Sequence, residues 1–196
     1  MDKLSYAWGM ALGQQLRAMG VENINREDFD EAVHAAFEGK ETKLTPEEAN
    51  QLIQGYLQEL TAKKAAEIRA VGERFLAENS KKEGVKVTAS GLQYIVDKEG
   101  EGAQPTAEDE VTVHYTGKLL DGTVFDSSVS RGEPATFPLN RVIPGWTEGV
   151  QLMREGGKYT FFIPSDLAYG PQGVPNAIPP HSTLIFDVEL IKVVKK

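Results

Sequence analysis

Aromatic, branched aliphatic and acidic residues recur through the second half of the chain: Tyr115, Phe125, Asp126, Val142, Ile143, Trp146, Tyr169, Ile178 and Phe186. They sit in Val-His-Tyr-Thr-Gly at 113 to 117, Asp-Gly-Thr-Val-Phe-Asp-Ser-Ser at 121 to 128, and Val-Ile-Pro-Gly-Trp at 142 to 146. The series closes with Leu-Ala-Tyr-Gly at 167 to 170 and a run from Ile178 to Leu190 that begins Ile-Pro-Pro-His-Ser-Thr. Brought together, these side chains would form an apolar cup holding a carboxylate and a phenol. Such a site is suited to bending an amide rather than breaking one. Any one of the aromatics taken alone would be ordinary core, and Asp126-Ser127-Ser128 alone would be a turn or a helix cap. The chemistry resides in the ensemble.

Other chemistries lack their residues. The chain has no cysteine, so no thiol nucleophile, thiolate metal site or disulfide is available. His34, His114 and His181 show no metal-ligand spacing, and no Gly-x-Ser-x-Gly elbow is present. Gly100-Glu101-Gly102 lacks the third glycine and the following helix of a dinucleotide site. The expectation is therefore no cofactor, no metal and no covalent intermediate. A net charge of -8 with only scattered lysine pairs argues against a nucleic-acid partner. No apolar run has the length of a membrane span, and the start at Met1-Asp2-Lys3-Leu4 shows no secretory signal. A cytoplasmic location is expected on that ground, with a periplasmic one as the alternative if the chain is a trimmed mature form.

The elements that must position the cup follow from two different grammars. At 196 residues the chain can hold one medium domain and a smaller one. Up to about residue 85 the apolar positions recur at helical spacing and proline occurs once; from about 87 glycine and proline are frequent and apolar residues alternate. The reading is α+β: a helical region at 1 to 86, then a mainly β domain at 87 to 196.

Leu4, Trp8, Leu12 and Leu16 predict a first helix ended by Gly20. Asn25 caps a second, whose apolar face runs Phe29, Val33, Ala36 and Phe37. Thr45, Pro46 and Glu48 form a capping box that opens a third, with no stop until Gly84. Unbroken, that third helix would be a rod of roughly 55 Å. Its first part, from Leu52 to Leu60, is apolar, and beyond it charged residues surround a thin line of Ile68, Val71 and Phe75. The expectation is a rod buried at its start and wet at its end. Helices this few bury too little surface to stand alone, so their stripes predict a homodimer through residues 1 to 60; a monomeric three-helix cap is the alternative. In the second half, strands are expected at 92 to 97, 110 to 116, 135 to 139, 158 to 163 and 183 to 193, with a short helix at 146 to 153.

On the motifs quoted above, residues 90 to 196 resemble an FKBP-type peptidyl-prolyl cis-trans isomerase domain. The helical region resembles the dimerisation arm of bacterial macrophage-infectivity-potentiator and FKBP22-like proteins. The resemblance implies an antiparallel sheet of five or six strands, strongly twisted and wrapped around a short α-helix, with the pocket between them. It implies isomerisation of X-Pro bonds in unfolded or proline-containing polypeptides, and an FK506- or rapamycin-type macrocycle as a possible ligand. By resemblance Trp146 forms the floor, and Tyr115, Phe125, Val142, Ile143 and Phe186 the walls. Tyr169 donates from its hydroxyl to a substrate carbonyl, and the Ile143 N–H serves a neighbouring one. Asp126 is the pocket carboxylate, held by Tyr115 and Arg131. Phe137, Ala135, Val174, Ala177 and Ile178 complete the substrate-binding set.

The rim departs from the small eukaryotic members. Ala135 stands where an aromatic is usual, Arg141 where an acidic residue is usual, and Val174 and Ala177 replace a histidine and an isoleucine. Activity is expected to follow the floor, and selectivity the rim. The alternative reading is a holding chaperone in which isomerisation is incidental.

Overall fold

A computed structural model describes residues 1–195. It divides into two compact units, Met1–Lys63 and Lys64–Lys196, with the division falling inside a helix.

The first unit holds α1 (Lys3–Ala18), α2 (Arg26–Phe37) and the start of α3 (Pro46–Asn79). Each helix opens on a side-chain cap. Asp2 accepts from the Ser5 N–H at 2.9 Å, and Asn25 accepts from the N–H groups of Glu27 and Asp28 at 3.0 and 3.2 Å. Thr45 and Glu48 make a reciprocal box, with the Glu48 N–H donating to Thr45 Oγ1 at 3.2 Å and the Thr45 N–H to Glu48 Oε2 at 2.8 Å. The cap at Asp2 was not anticipated. Neither α1 nor α2 buries a residue: Leu4, Trp8, Leu12, Val33 and Phe37 all stand exposed.

Within a single chain the long third helix reverses the expected pattern of burial. Its apolar start is the exposed part, with Leu52, Ile53 and Tyr56 open to solvent. Its charged end is the packed part. In the second unit Gly72 and Asn79 are buried, Phe75 lies 5.8 Å from the Phe162 ring, and Asn79 Nδ2 donates to Gln93 Oε1 at 3.0 Å. Gln93 Nε2 donates in turn to the Leu76 carbonyl at 2.8 Å. A thin line of apolar residues spaced by helical turns was enough to dock this segment, because glycine and asparagine on the same face let it approach closely.

The rest of the second unit is one antiparallel sheet of seven strands: β1 (Lys86–Val87), β2 (Gln93–Lys98), β3 (Glu110–Leu119), β4 (Val124–Ser127), β5 (Ala135–Pro138), β6 (Lys158–Ile163) and β7 (Leu184–Val194). The order is β1-β2-β6-β7-β3-β4, and β5 pairs with β3 off that path. This exceeds the five or six strands expected, because β3 is long enough to hold two short partners on one edge. Its first half pairs with β5, Val111 opposite Phe137, and its second half with β4, Gly117 opposite Asp126. Register shifts between Thr112 and Val113 and between Gly117 and Lys118 increase the local twist.

Strict alternation sets the core. Val111, Val113 and Tyr115 on β3 and Leu184, Phe186, Val188 and Leu190 on β7 face one side. On that side lies α5 (Pro144–Val150), which starts two residues earlier than the expected 146 because Pro144 fits the first helical turn. Its closeness to β6 requires glycine. A Cβ on Gly145 would stand 2.5 Å from Ile163 Cγ2, and one on Gly149 would stand 2.7 Å from Phe161 Cε1. A one-turn helix, α4 (Ser128–Arg131), follows β4 and is capped by Ser127. Among the described residues no helix is long and apolar enough to cross a membrane.

Candidate active site

Trp146 is the hub of the pocket. Carried on α5 and 4 % exposed, it meets the rings of Tyr115, Phe186 and Phe137 edge-on, at 5.1, 5.3 and 6.0 Å between centroids and 82° to 89° between planes. Such perpendicular pairs are favoured by the ring quadrupoles. Phe125 on β4 meets Phe186 in the same way at 5.5 Å. Gly117 makes room for that pair, since a Cβ there would lie 2.6 Å from Phe125 Cζ and 2.7 Å from Phe186 Cε1. The Trp146 Nε1 atom is buried without a hydrogen-bond partner among the described residues.

The cavity of about 480 Å³ that these rings enclose is lined by Tyr115, Phe125, Asp126, Phe137, Arg141, Val142, Ile143, Trp146, Tyr169 and Phe186. Val142 and Ile143 reach it from the turn before α5. The Ile143 carbonyl accepts from Trp146 and Thr147 at 2.9 and 3.1 Å, which fixes the peptide at the pocket wall. Tyr169 reaches it from the loop after β6 and is 38 % exposed.

The polar group of the pocket is built by pairing β3 with β4. Tyr115 donates its hydroxyl to Asp126 Oδ2 at 2.5 Å, and Arg131 on α4 donates to Asp126 Oδ1 and, at 3.1 Å, to the Tyr115 oxygen. Burial opposes ionisation of Asp126, but the hydrogen bonds from Tyr115 and Arg131, with the arginine charge, outweigh it and hold the carboxyl below its usual value. Burial and the bond to Asp126 raise the Tyr115 phenol. Burial, then the Asp126 charge, raises the Tyr169 phenol. Both tyrosines are therefore protonated donors at neutral pH, beside an ionised carboxylate. Ser128, fully buried, holds this corner in place by accepting from the Tyr115 N–H at 2.8 Å and bonding His114 Nδ1 at 3.0 Å.

Some expected pocket residues lie elsewhere. Arg131 acts from behind Asp126 and does not line the cavity. Ala135 packs its small side chain on the core from β5. Val174 and Ile178 bridge each other, with the Val174 N–H donating to the Ile178 carbonyl at 2.8 Å and the Ile178 N–H to the Val174 carbonyl at 2.9 Å. Ile178 is thereby drawn into the core, and the exposed Ala177 is left in the turn between them. Conversely, Arg141 lines the cavity although the sequence singled it out only as a departure. The anchoring role of Ser128 was hidden inside Asp-Ser-Ser, which reads locally as a turn.

Comparison with known proteins agrees with the fold. Residues 101–191 match the FKBP-type peptidyl-prolyl cis-trans isomerase family, and residues 1–96 match the domain amino terminal to FKBP-type peptidyl-prolyl isomerase. The chain is 52 % identical to a probable FKBP-type peptidyl-prolyl cis-trans isomerase FkpA of Neisseria meningitidis, over 98 % of this chain and 74 % of the relative. It is 43 % identical to the outer membrane protein MIP of Legionella longbeachae, over 99 % and 86 %. The crystal structure of FkpA from Escherichia coli superposes with a TM-score of 0.80 at 40 % identity, covering 98 % of this chain and 96 % of that one. The chain belongs to the FKBP-type peptidyl-prolyl cis-trans isomerases. The expected cytoplasmic location is corrected by these relatives, one of which is an outer membrane protein by name. The expectation failed because the absence of a signal from a sequence carries no address.

Proposed function

We propose that the cavity around Trp146 isomerises X-Pro bonds without covalent chemistry. The observation that carries this reading is a ring-walled cavity whose polar groups include one ionised carboxylate and two protonated phenols, with Arg141 at the wall. Rotation about X-Pro faces a barrier of about 18–20 kcal/mol because resonance stiffens and polarises the planar amide. The twisted transition state has lost that charge separation. Walls of aromatic carbon that exclude water therefore favour it over the planar ground state.

Trp146 supports the proline ring, and Tyr115, Phe125, Phe137, Val142 and Phe186 enclose it. The Tyr169 hydroxyl and the Ile143 N–H donate to substrate carbonyls and fix one geometry. Asp126 orients and polarises; it transfers no proton. Proline-containing and unfolded polypeptides are the substrates, and an FK506- or rapamycin-type macrocycle fits the same cup. Arg141 at the wall favours acidic residues beside the proline. Protease-coupled isomerisation of a proline peptide tests the reading. The chain accelerates it, an FK506-type ligand competes, and Tyr169→Phe lowers kcat/KM by about two- to tenfold, the worth of one hydrogen bond. A rate equal to the spontaneous one would end the proposal.

The exposed stripe Leu4, Trp8 and Leu12 supports a homodimer through residues 1 to 60, since α1 and α2 bury nothing within one chain. Substituting Leu4→Glu together with Trp8→Glu is expected to halve the solution mass measured by sedimentation. Activity on a short peptide should stay within about twofold, because the cup is built entirely from the other unit.

A further inference from the structure

The loop that carries Tyr169 is closed at its base by the long helix. Within the second unit, Gly72 of α3 is buried, and a Cβ built on it would stand 2.4 Å from Thr183 Oγ1 and 3.2 Å from Thr183 Cβ. Thr183 is buried and lies immediately before β7. Two residues upstream, the His181 N–H donates to the Gly170 carbonyl at 2.8 Å, directly after Tyr169. Inside the loop Ser182 Oγ donates to the Pro179 carbonyl at 2.7 Å, and the Gly173 N–H donates to the Tyr169 carbonyl at 3.1 Å.

Ser182 and Thr183 are buried, and the His181–Gly170 and Ser182–Pro179 bonds are short, so the backbone at 170–183 has few ways to adjust independently of α3. His181 and Gly170 both have positive φ, 60° and 55°. For His181, which unlike glycine seldom takes positive φ, this is a conformation that an unsupported chain would rarely choose. The support comes from the sequence neighbours of Thr183 and, through them, from the face of α3 at Gly72.

We propose that α3 is a positioning element for the catalytic pocket: its close approach at Gly72 to Thr183 sets the His181–Gly170 clasp and through it the orientation of Tyr169. The proposal rests on the reading of Tyr169 as a donor to substrate. It makes Gly72 and Thr183 positioning residues, neither of which touches the cavity. It also gives the glycine in an otherwise helix-favouring stretch a reason: the residue there must present no side chain to Thr183.

The test uses the full chain and two readouts, hydrogen exchange at the His181 amide and kcat/KM on a proline peptide. Gly72→Ala should speed His181 exchange by about tenfold or more as the clasp opens more often. It should lower kcat/KM by about three- to thirtyfold, the range of couplings carried through packed residues. Alanine is the better helix former, so this loss would not come from a weakened helix. Removing the opposing hydroxyl in Gly72→Ala/Thr183→Ala should return both readouts to within about twofold of the parent.

In a Tyr169→Phe background Gly72→Ala should change kcat/KM by less than about twofold, since the group it misplaces is already gone. Unchanged His181 exchange, or an equal loss of kcat/KM with and without the Tyr169 hydroxyl, would overturn the proposal. If Tyr169→Phe alone matches the parent, the role of Tyr169 fails and the exchange measurement alone decides the coupling. If Gly72→Ala does not fold, Thr183→Ala, which opens a gap at the same contact, should speed His181 exchange; no change there would overturn the coupling.

Discussion

Replacing Asp126 by alanine should lower kcat/KM for a proline peptide by about ten- to a hundredfold while leaving the fold intact. The carboxylate accepts from Tyr115 and from Arg131, and among the described residues it is the only acid on the cavity wall. Hydrogen bonds to a charged group are worth about 1.5–3 kcal/mol, which converts to that range of rate. Without Asp126 the Tyr115 hydroxyl keeps only Arg131, and the pocket is left with an arginine on each side, Arg131 behind and Arg141 on the wall. Both the aim of the phenol and the sign of the local field change. Asp126→Asn, which keeps shape and loses charge, should fall between the two.

The pH dependence follows from the same contacts. The folded carboxyl is held below its ordinary value of about 3.9, so the charge is present throughout the neutral range and persists below that value. kcat/KM should be flat from pH 7 down to about pH 5 in the parent, with no acid limb at the usual carboxylate position. The sign for stability is that of a depressed acid: its contribution is complete above the unfolded pKa and lost as pH falls through the folded one. A rate for Asp126→Ala within twofold of the parent would remove the carboxylate from the mechanism.

Trp146→Ala should remove most of the activity and a large part of the stability together. The indole is nearly fully buried and packs edge-on against Tyr115, Phe137 and Phe186. Truncating an aromatic in such a place costs about 3–5 kcal/mol, against a usual total of about 5–15. A lower urea midpoint with an unchanged slope is the expected equilibrium result. Measured at low temperature, where the variant is still folded, kcat/KM should drop by about a hundredfold or more, because the proline ring loses its support and water enters the cup. Trp146→Leu separates the two effects: it restores part of the volume and stability without restoring a flat floor. A destabilised variant with parental kcat/KM would show that Trp146 is core alone.

The sequence was legible where a local rule had no competitor. Thr45, Pro46 and Glu48 announced the start of α3 because a capping box satisfies its own N–H groups within four residues. The alternation of Leu184, Phe186, Val188 and Leu190 announced β7 and its buried face because the strand period is two. Neither β4 nor α4 could be read in that way. Each is four residues long, and each exists because the second half of β3 offers an edge on which Asp126 and Ser127 can pair.

Sequence alone was enough for the α+β class, the starts of α2 and α3, the alternating core and the residue types of the cup. These depend on periods and caps that span a few residues. Only the tertiary structure decided that Arg141 enters the cavity wall while Ile178 is drawn into the core, that the charged end of α3 is the one that docks, and that Gly72 meets Thr183. For α3 and Gly72 the deciding contact joins residues far apart in the chain. Charge, size and periodicity along the sequence name which residues are able to make such a contact, and packing at a distance of a few ångströms selects which of them do.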